Sequence, residues 1–546
     1  MTARSGTIGR LLPDNQFTMS SRCYIRPAVR SSSTPSAGSP AHQSPSRLPA
    51  LIAAAIDADR HRDLDGTGPK AGAGALRNGD TIHPGDDGTR TARRIAATIG
   101  RMITAGDLAV GERLPTVREL SRRLGVSPTT VSVAWRSLAD VGVIETRGRN
   151  GTYVRHPRGA EAPRRYRMVT GAAADGADHF DIDLSTGTPD PDLLPDLGPV
   201  IARVSRQSLT SSYLDRPVLP ALEELLDATW PFAAEAITVV DGALDALDRV
   251  AQVALRLGDR VVVEHPAFPP ILDLLDQLGC EIVGVDVDDE GIVLDQLAAA
   301  FATAESGRPG AAPPAAVILQ PRAQNPAGIA MSASRAAAIA GIVGGTTALV
   351  VEDDHANDIS SAPLVSVGSW LPAQTVHIRS YSKSHGPDLR LAAVGGSGEV
   401  VNSVANRRRL GPGWSSRILQ AVLVELLQDP STADTMAAAR SAYADRRRAV
   451  AAVLAGHDVP MTGQDGINAW IPVDDERVAT VALAARGIGV APGHPFLVRP
   501  DGDHLRVTVG LLAHDGPDGG SRLAEVAEAV AAAARQHSTH RRPAHR

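Results

Sequence analysis

The 546-residue chain is long enough for roughly three or four folding units at about 150 residues each. Its 61 acidic and 55 basic residues leave a net charge of −6, so bulk positive charge does not bring it to nucleic acid, and any such contact has to be local. Hydrophobic residues make up 43%, no apolar run approaches the roughly 20 residues that span a bilayer, and two cysteines, Cys23 and Cys280, exclude a disulfide scaffold or a multi-cysteine metal site.

No metal is expected, and a reducing cytoplasm fits. Residues 1–87 are rich in Ser, Pro, Gly, Ala and Arg, which predicts a disordered leader without a secretory signal. The short apolar piece at 48–56 has no flanking partner in the sequence and is assigned no function.

Between 91 and 156 the character changes: eleven Arg stand against five acidic residues, a local excess of six positive charges that leaves about −12 for the remainder. Ile95, Ile99, Met102 and Ile103 recur at helical spacing up to Gly106. Thr116 caps a second short helix carrying Val117 and Leu120, and Gly125 turns the chain. Ser127 before Pro128 starts a third helix through Val131, Trp135 and Leu138 to Gly142. Two short strands, 143–146 and 151–154, then flank a basic hairpin tip, Arg147-Gly148-Arg149-Asn150.

Leu114-Pro115-Thr116-Val117-Arg118-Glu119-Leu120, Leu124-Gly125-Val126-Ser127, Thr129-Thr130-Val131 and Gly151-Thr152-Tyr153-Val154 resemble the winged helix-turn-helix of GntR-type DNA-binding domains. The resemblance implies a third helix in the major groove and a wing on the backbone or minor groove of double-stranded operator DNA. Arg118, Ser127, Thr129, Thr130 and Arg149 are the implied DNA contacts. Pro128 departs from the pattern, standing where such domains often carry a base-reading Arg.

From about 179 onward, β-branched runs at 237–240, 260–263, 281–287, 315–319, 348–351, 375–378 and 391–394 alternate with helical stretches such as 244–257 and 269–278. That alternation predicts a mostly parallel sheet with ligands at its strand ends. Polar signatures follow the runs: Asp241-Gly242-Ala243, His265-Pro266-Ala267-Phe268, Gln324-Asn325-Pro326, Glu352-Asp353-Asp354-His355 and Ser380-Tyr381-Ser382-Lys383-Ser384.

In order, these motifs resemble the fold-type I aminotransferases that bind pyridoxal 5′-phosphate. The resemblance implies a Schiff-base amine at Lys383 and a carboxylate for the pyridine nitrogen at Asp353. It also implies a phosphate cup of Gly242, Ala243, Ser380, Ser382 and Arg390, with Asn325 at the ring hydroxyl and Phe268 over the ring face. Arg506 resembles the clamp for a substrate α-carboxylate. His355 stands where relatives place a Tyr near the cofactor hydroxyl; it is either a cofactor neighbour or a hydrogen-bonded core residue. The segment from Tyr213 to Pro220 lacks the family's usual glycine.

A GntR-like module followed by an aminotransferase-like domain resembles the MocR family of transcription regulators. The implied architecture is multidomain. Residues 1–87 form a leader and 88–156 a winged helix-turn-helix domain, followed by a linker at 157–178. An α/β fold-type I aminotransferase-like domain then spans 179–536, with a mostly parallel sheet and a smaller α+β C-terminal lobe at roughly 412–536, before a basic tail at 537–546. The implied activity is that of a cytoplasmic, homodimeric, pyridoxal 5′-phosphate-dependent regulator sensing a small amino compound, with no membrane partner. The alternative is an active aminotransferase that carries a DNA-binding domain.

Overall fold

The computed structural model describes parts of 49–56 and 92–109, residues 111–155 apart from 141–142 and 148–150, and residues 163–536 apart from 175–179, 208–211, 306–312 and 514–518. The rest of the leader, the glycines expected to end helices at Gly106 and Gly142, the wing-tip Arg149 and the tail lie outside these residues.

The N-terminal module is built around Leu120, Val131, Trp135 and Leu138, which a helix pair buries against Ile95, Ile99 and Met102. Thr116 accepts from the Glu119 backbone N–H at 3.2 Å to start the helix Val117–Leu124, and Gly125, at φ 67°, ends it in a left-handed turn. Ser127 does the same for the helix Pro128–Asp140, accepting from Thr130 N at 3.0 Å. Behind them stand β1 (Arg113–Leu114), β2 (Ile144–Thr146) and β3 (Thr152–Val154), ordered β1-β3-β2. The first strand is an addition to the expected hairpin. A second difference concerns the apolar piece at 48–56. Ile52 and Ile56 are buried in this core, so its partner is far along the chain rather than beside it.

Part of the expected linker is a helix, Arg164–Ala174, which packs on the helix Pro269–Leu278 and on the turn His494–Phe496. It is followed by β4 (Ile182–Asp183) and then by the strands of the large sheet: β5 (Ala236–Val240), β6 (Arg260–His265), β7 (Glu281–Asp288), β8 (Gly291–Ile292), β9 (Pro314–Leu319), β10 (Leu349–Asp354), β11 (Thr375–Ser380) and β12 (Ala392–Gly396). Their order is β5-β12-β11-β10-β9-β6-β7-β8. Strands β7, β6, β9, β10 and β11 pair in parallel, β12 is antiparallel to both β11 and β5, and β8 folds back on β7. Each strand read from the sequence is present within a few residues.

Alternate residues of one strand bury into opposite layers, the signature of a sheet covered on both faces. Val261, Val263, Ile318 and Val351 face Leu247, Val250 and Leu272. Their neighbours Val262, Val317, Leu319 and Val350 face Leu297, Ile339 and Val343.

The C-terminal lobe carries β13 (Ala469–Val473), β14 (Ile488–Gly489), β15 (Ala491–Pro492) and β16 (Asp503–Val507), with β13-β16-β15 forming one sheet. Two features redraw its limits. Strand β14 pairs in parallel with β4, and Leu184 lies in the lobe's core, so a stretch from the start of the domain belongs here. The helix Arg417–Gln428, expected in the lobe, instead packs with Leu222, Leu389 and Leu391 of the large domain. Among the described residues no helix is long and apolar enough to cross a membrane.

The burial of Ile52 sets a test. Ile52→Ala removes a side chain with no solvent exposure and is expected to destabilise the N-terminal module by about 2–5 kcal/mol. Hydrogen exchange at residues 117–138 under increasing denaturant reads the loss as earlier opening of these helices.

Candidate functional site

The site is assembled by strand register. Ala392, the first residue of β12, is paired with Ser380 on β11 and with Val240 on β5. The turn Asp241-Gly242 and the turn carrying Lys383 therefore emerge on either side of β12 at one edge of the sheet. Arg390 lies just before β12 at the same edge. A Cβ on Gly242 would sit 2.9 Å from the Arg390 Nη2, so only glycine, here at φ 105°, lets the guanidinium lie against the start of the helix Ala243–Ala254. Arg390 donates to Asp241 O at 3.3 Å and is otherwise exposed. Ser380 is buried and Ser382 half-buried, with the Ser382 N–H donating to Ser380 Oγ at 3.4 Å. The structure thus brings Gly242, Ala243, Ser380, Ser382 and Arg390 to one place: a helix start, two hydroxyls and a cation.

Deeper along the same edge, β10 delivers Asp353, β9 runs into Gln320 and Asn325, and β6 runs into Phe268. Gln320, which sequence reasoning missed, ties these together: its side-chain N–H donates to Asp353 Oδ2 at 2.8 Å, while its Oε1 accepts from Asn325 N at 2.9 Å. Asp353 Oδ1 and Asn325 Oδ1 are buried without a hydrogen-bond partner. Burial pushes the Asp353 carboxyl up to about 6, with the Gln320 hydrogen bond and the Lys383 charge opposing it. Glu264, beside the same network, is pushed up to about 8 by burial and is largely neutral near pH 7.

Asp354 has the opposite fate. Burial raises its pKa, but the Arg322 guanidinium, donating from Nε at 3.2 Å, more than offsets this and holds the carboxyl below its usual range. It is a structural partner, as is Glu352, which accepts from Ser366 Oγ at 2.6 Å and Val367 N at 2.6 Å and bonds His377 Nδ1 at 2.8 Å.

Lys383 lies 2.7 Å from His355 Nδ1, and His355 Nε2 lies 3.0 Å from Ala323 O. A carbonyl only accepts, so the ring carries its proton on Nε2 and Nδ1 accepts from the amine. Burial and the neighbouring amine drive the His355 pKa well below its ordinary value, so the ring stays neutral instead of titrating near neutrality. It is both a hydrogen-bonded core residue and the direct neighbour of Lys383. Burial lowers the Lys383 pKa to about 8, with Asp353 opposing and Arg506 assisting.

Arg506, on β16, is buried, and its guanidinium touches Ser185 O and lies 5.4 Å over the Phe496 ring. Burial lowers its pKa to about 10, and Asp183 only partly offsets this. Its Nε has no hydrogen-bond partner, and a Cβ on Gly187 would intrude to 2.5 Å from Nη1. A cavity of about 280 Å³ opens against this cation, walled by Phe268, Pro269, Pro270 and Phe496.

In the N-terminal module, Arg118 and Thr129 are exposed at the starts of successive helices. Ser127 and Thr130 are partly committed elsewhere, their hydroxyls lying 2.8 Å apart at the helix cap. Arg149 is outside the described residues. Arg147, at the wing, is engaged by Glu145 at 2.6 Å and lies 4.8 Å over the Tyr153 ring.

A winged helix-turn-helix joined to an aminotransferase fold with this polar edge defines a two-part class of protein, and the comparisons agree. Residues 91–154 match the bacterial regulatory proteins of the gntR family, and residues 181–514 match aminotransferase class I and II. The vitamin B6 salvage pathway transcriptional repressor PtsJ of Salmonella typhimurium is 36% identical over 78% of this chain and 95% of its own. The pyridoxine biosynthesis transcriptional regulator PdxR of Corynebacterium glutamicum is 24% identical over 81% of this chain and 96% of its own. Among solved structures, the kynurenine aminotransferase of Pyrococcus horikoshii, in complex with PMP, superposes with a TM-score of 0.60 at 19% identity, covering 68% of this chain and 95% of its own. The chain belongs to the MocR-type transcription regulators, in which a GntR-family DNA-binding domain precedes a class I and II aminotransferase domain.

Because Arg322 and Asp354 are both buried, removing one strands the other. Arg322→Met is expected to cost about 3–5 kcal/mol, and adding Asp354→Leu should recover most of it. Denaturant midpoints of the single and double variants measure both.

Proposed function

We propose that the protein binds pyridoxal 5′-phosphate at the sheet edge, senses a small amino compound there, and acts in the cytoplasm as a homodimeric regulator on double-stranded operator DNA. The observation that carries the reading is the set of unbalanced buried groups around Lys383: two partnerless oxygens, on Asp353 and Asn325, and the cation of Arg506. Each suits one part of the cofactor or of a carboxylate-bearing amine.

When bound, pyridoxal 5′-phosphate supplies an aldehyde that an amine can attack and a ring nitrogen whose positive charge draws electrons from it. Lys383 would hold the aldehyde carbon, its Nζ aligned by the hydrogen bond that His355 Nδ1 accepts. Asp353, fixed by Gln320, presents its free Oδ1 to the ring nitrogen; an N–H cation there favours the ionised carboxylate and offsets the cost of burying it. Gly242, Ala243, Ser380, Ser382 and Arg390 hold the phosphate, Asn325 the ring hydroxyl, and Phe268 covers the ring. Arg506 takes the carboxylate of the incoming amine.

Tyr213, Leu214 and Leu410 are large apolar side chains left exposed, which suits contact with a second copy of this chain. Arg118, Thr129 and the wing supply the DNA contacts. An effector changes transcription only to the extent that it binds one arrangement of the DNA-binding modules better than another. A second reading, residual amine transfer, is favoured by the joint presence of Lys383, Asp353 and Arg506.

Apo-protein mixed with pyridoxal 5′-phosphate is expected to develop a visible absorption band that survives dialysis, and Lys383→Ala to lose it. Since Lys383 is deprotonated above about pH 8, the rate of capture should rise with pH through that value and then level off. A pH-independent rate would exclude attack by this amine. Gel-shift binding to the DNA upstream of its own gene should weaken with salt, and Arg118→Ala should reduce the slope of log affinity against log salt by about 1.

A further inference from the structure

The helix Arg164–Ala174 follows the wing strand β3 as the next described element, and it does not hang free. The carboxylate of Asp273, itself buried, accepts from the first turn of this helix, from Arg165 N at 3.1 Å and Tyr166 N at 2.9 Å. It thus caps the helix start from another element. Arg165 also pairs with Asp276. Both acidic residues sit on the helix Pro269–Leu278, which begins at Phe268, the residue placed over the cofactor ring. One turn further along, Val169 packs against the buried cluster of Trp470, Ala491 and Phe496. Tyr166 and Val169 form one wall of the cavity that ends at Arg506.

We propose that this helix is part of the effector site, and that Tyr166 and Val169 select the effector's side chain. The inference rests on reading the cavity as the place where an amino compound enters. The buried guanidinium fixes the carboxylate end. Apart from the hydroxyls of Ser185 and Thr186, the rest of the lining is Tyr166, Val169, Phe268, Pro269, Pro270 and Phe496, with no ionisable group but the tyrosine hydroxyl. The chemical class is therefore an α-amino acid with an apolar side chain, since nothing in this lining apart from Arg506 offers a charge to pair with a charged one. Because the same helix leads back to the DNA-binding module, the occupant touches the segment whose position sets that module's reach.

Full-length protein saturated with pyridoxal 5′-phosphate is titrated by calorimetry with L-phenylalanine, L-leucine, L-alanine and L-glutamate. L-Phenylalanine and L-leucine are expected to bind at least tenfold more tightly than the other two. Tyr166→Ala should weaken L-phenylalanine tenfold or more with the cofactor titration changed less than twofold, and Val169→Trp should shift the preference toward L-alanine. Hydrogen exchange at residues 164–169 should slow on adding L-phenylalanine, a change that a purely structural helix would not show. Unchanged affinities in both variants, or unchanged exchange, overturn the proposal, as does a cofactor-loaded protein that binds none of the four. If the wild type fails to hold the cofactor yet binds L-phenylalanine through Tyr166, the cofactor reading falls and this one stands.

Discussion

Everything at the sheet edge depends on the register of one reversed strand. Because β12 runs against β5 and β11, its beginning lies where its neighbours end, and Ala392 is opposite Val240 and Ser380 at once. That pairing sets the helix start at Gly242 beside the turn of Lys383 and brings Arg390 in from the loop before β12. A slip of one residue would invert the faces of a strand whose residues are all buried, so the core enforces the register that the site requires.

The same edge separates satisfied charge from unsatisfied charge. Arg322 pairs with Asp354, and Glu352 is held by Ser366, Val367 and His377, so both carboxylates anchor β10 from within. Asp353, between Glu352 and Asp354 in sequence, points the other way in the pleat and is left with a free oxygen. Three consecutive carboxylates thus divide by strand alternation into two that hold the fold and one that keeps an unpartnered oxygen. A buried group with an unmet partner raises the free energy of the empty protein, and a ligand that meets it is bound the more tightly for that.

The sequence made the strands of the large sheet legible because each is a short apolar run buried on both faces, and the polar motifs after them because they sit at strand ends. The order of the motifs singled out Lys383, Asp353 and Arg390, and the fold gathers them at one edge of the sheet. The sequence could not show Gln320, whose role is to reach sideways to Asp353 and Asn325, nor Arg322, whose partner is 32 residues away. Ile52 and Ile56 gave a local pattern too short to place, since their burial depends on helices beginning some 40 residues later. Residues 157–178 read as a linker of mixed rigidity, but its central helix is capped by Asp273, more than 100 residues away, and no local signal encodes that contact. What is local in sequence was readable; what is cooperative across the fold was not.

The two halves of the protein divide the work in a way that constrains any switch. The DNA-binding module carries its own excess of positive charge, its own caps and its own core, and none of its proposed contacts lies among the residues that face Lys383 or Arg506. A ligand at the sheet edge cannot alter those contacts directly. It can alter only where the module is held, and this requires an element shared by both sites whose position the ligand biases. The helix Arg164–Ala174 meets the geometric half of that requirement, because one of its faces is cavity wall and its start is capped by the helix that begins at Phe268. On the proposed reading, coupling follows from contact rather than from distance: whatever fills the cavity also touches this helix and so biases how it docks.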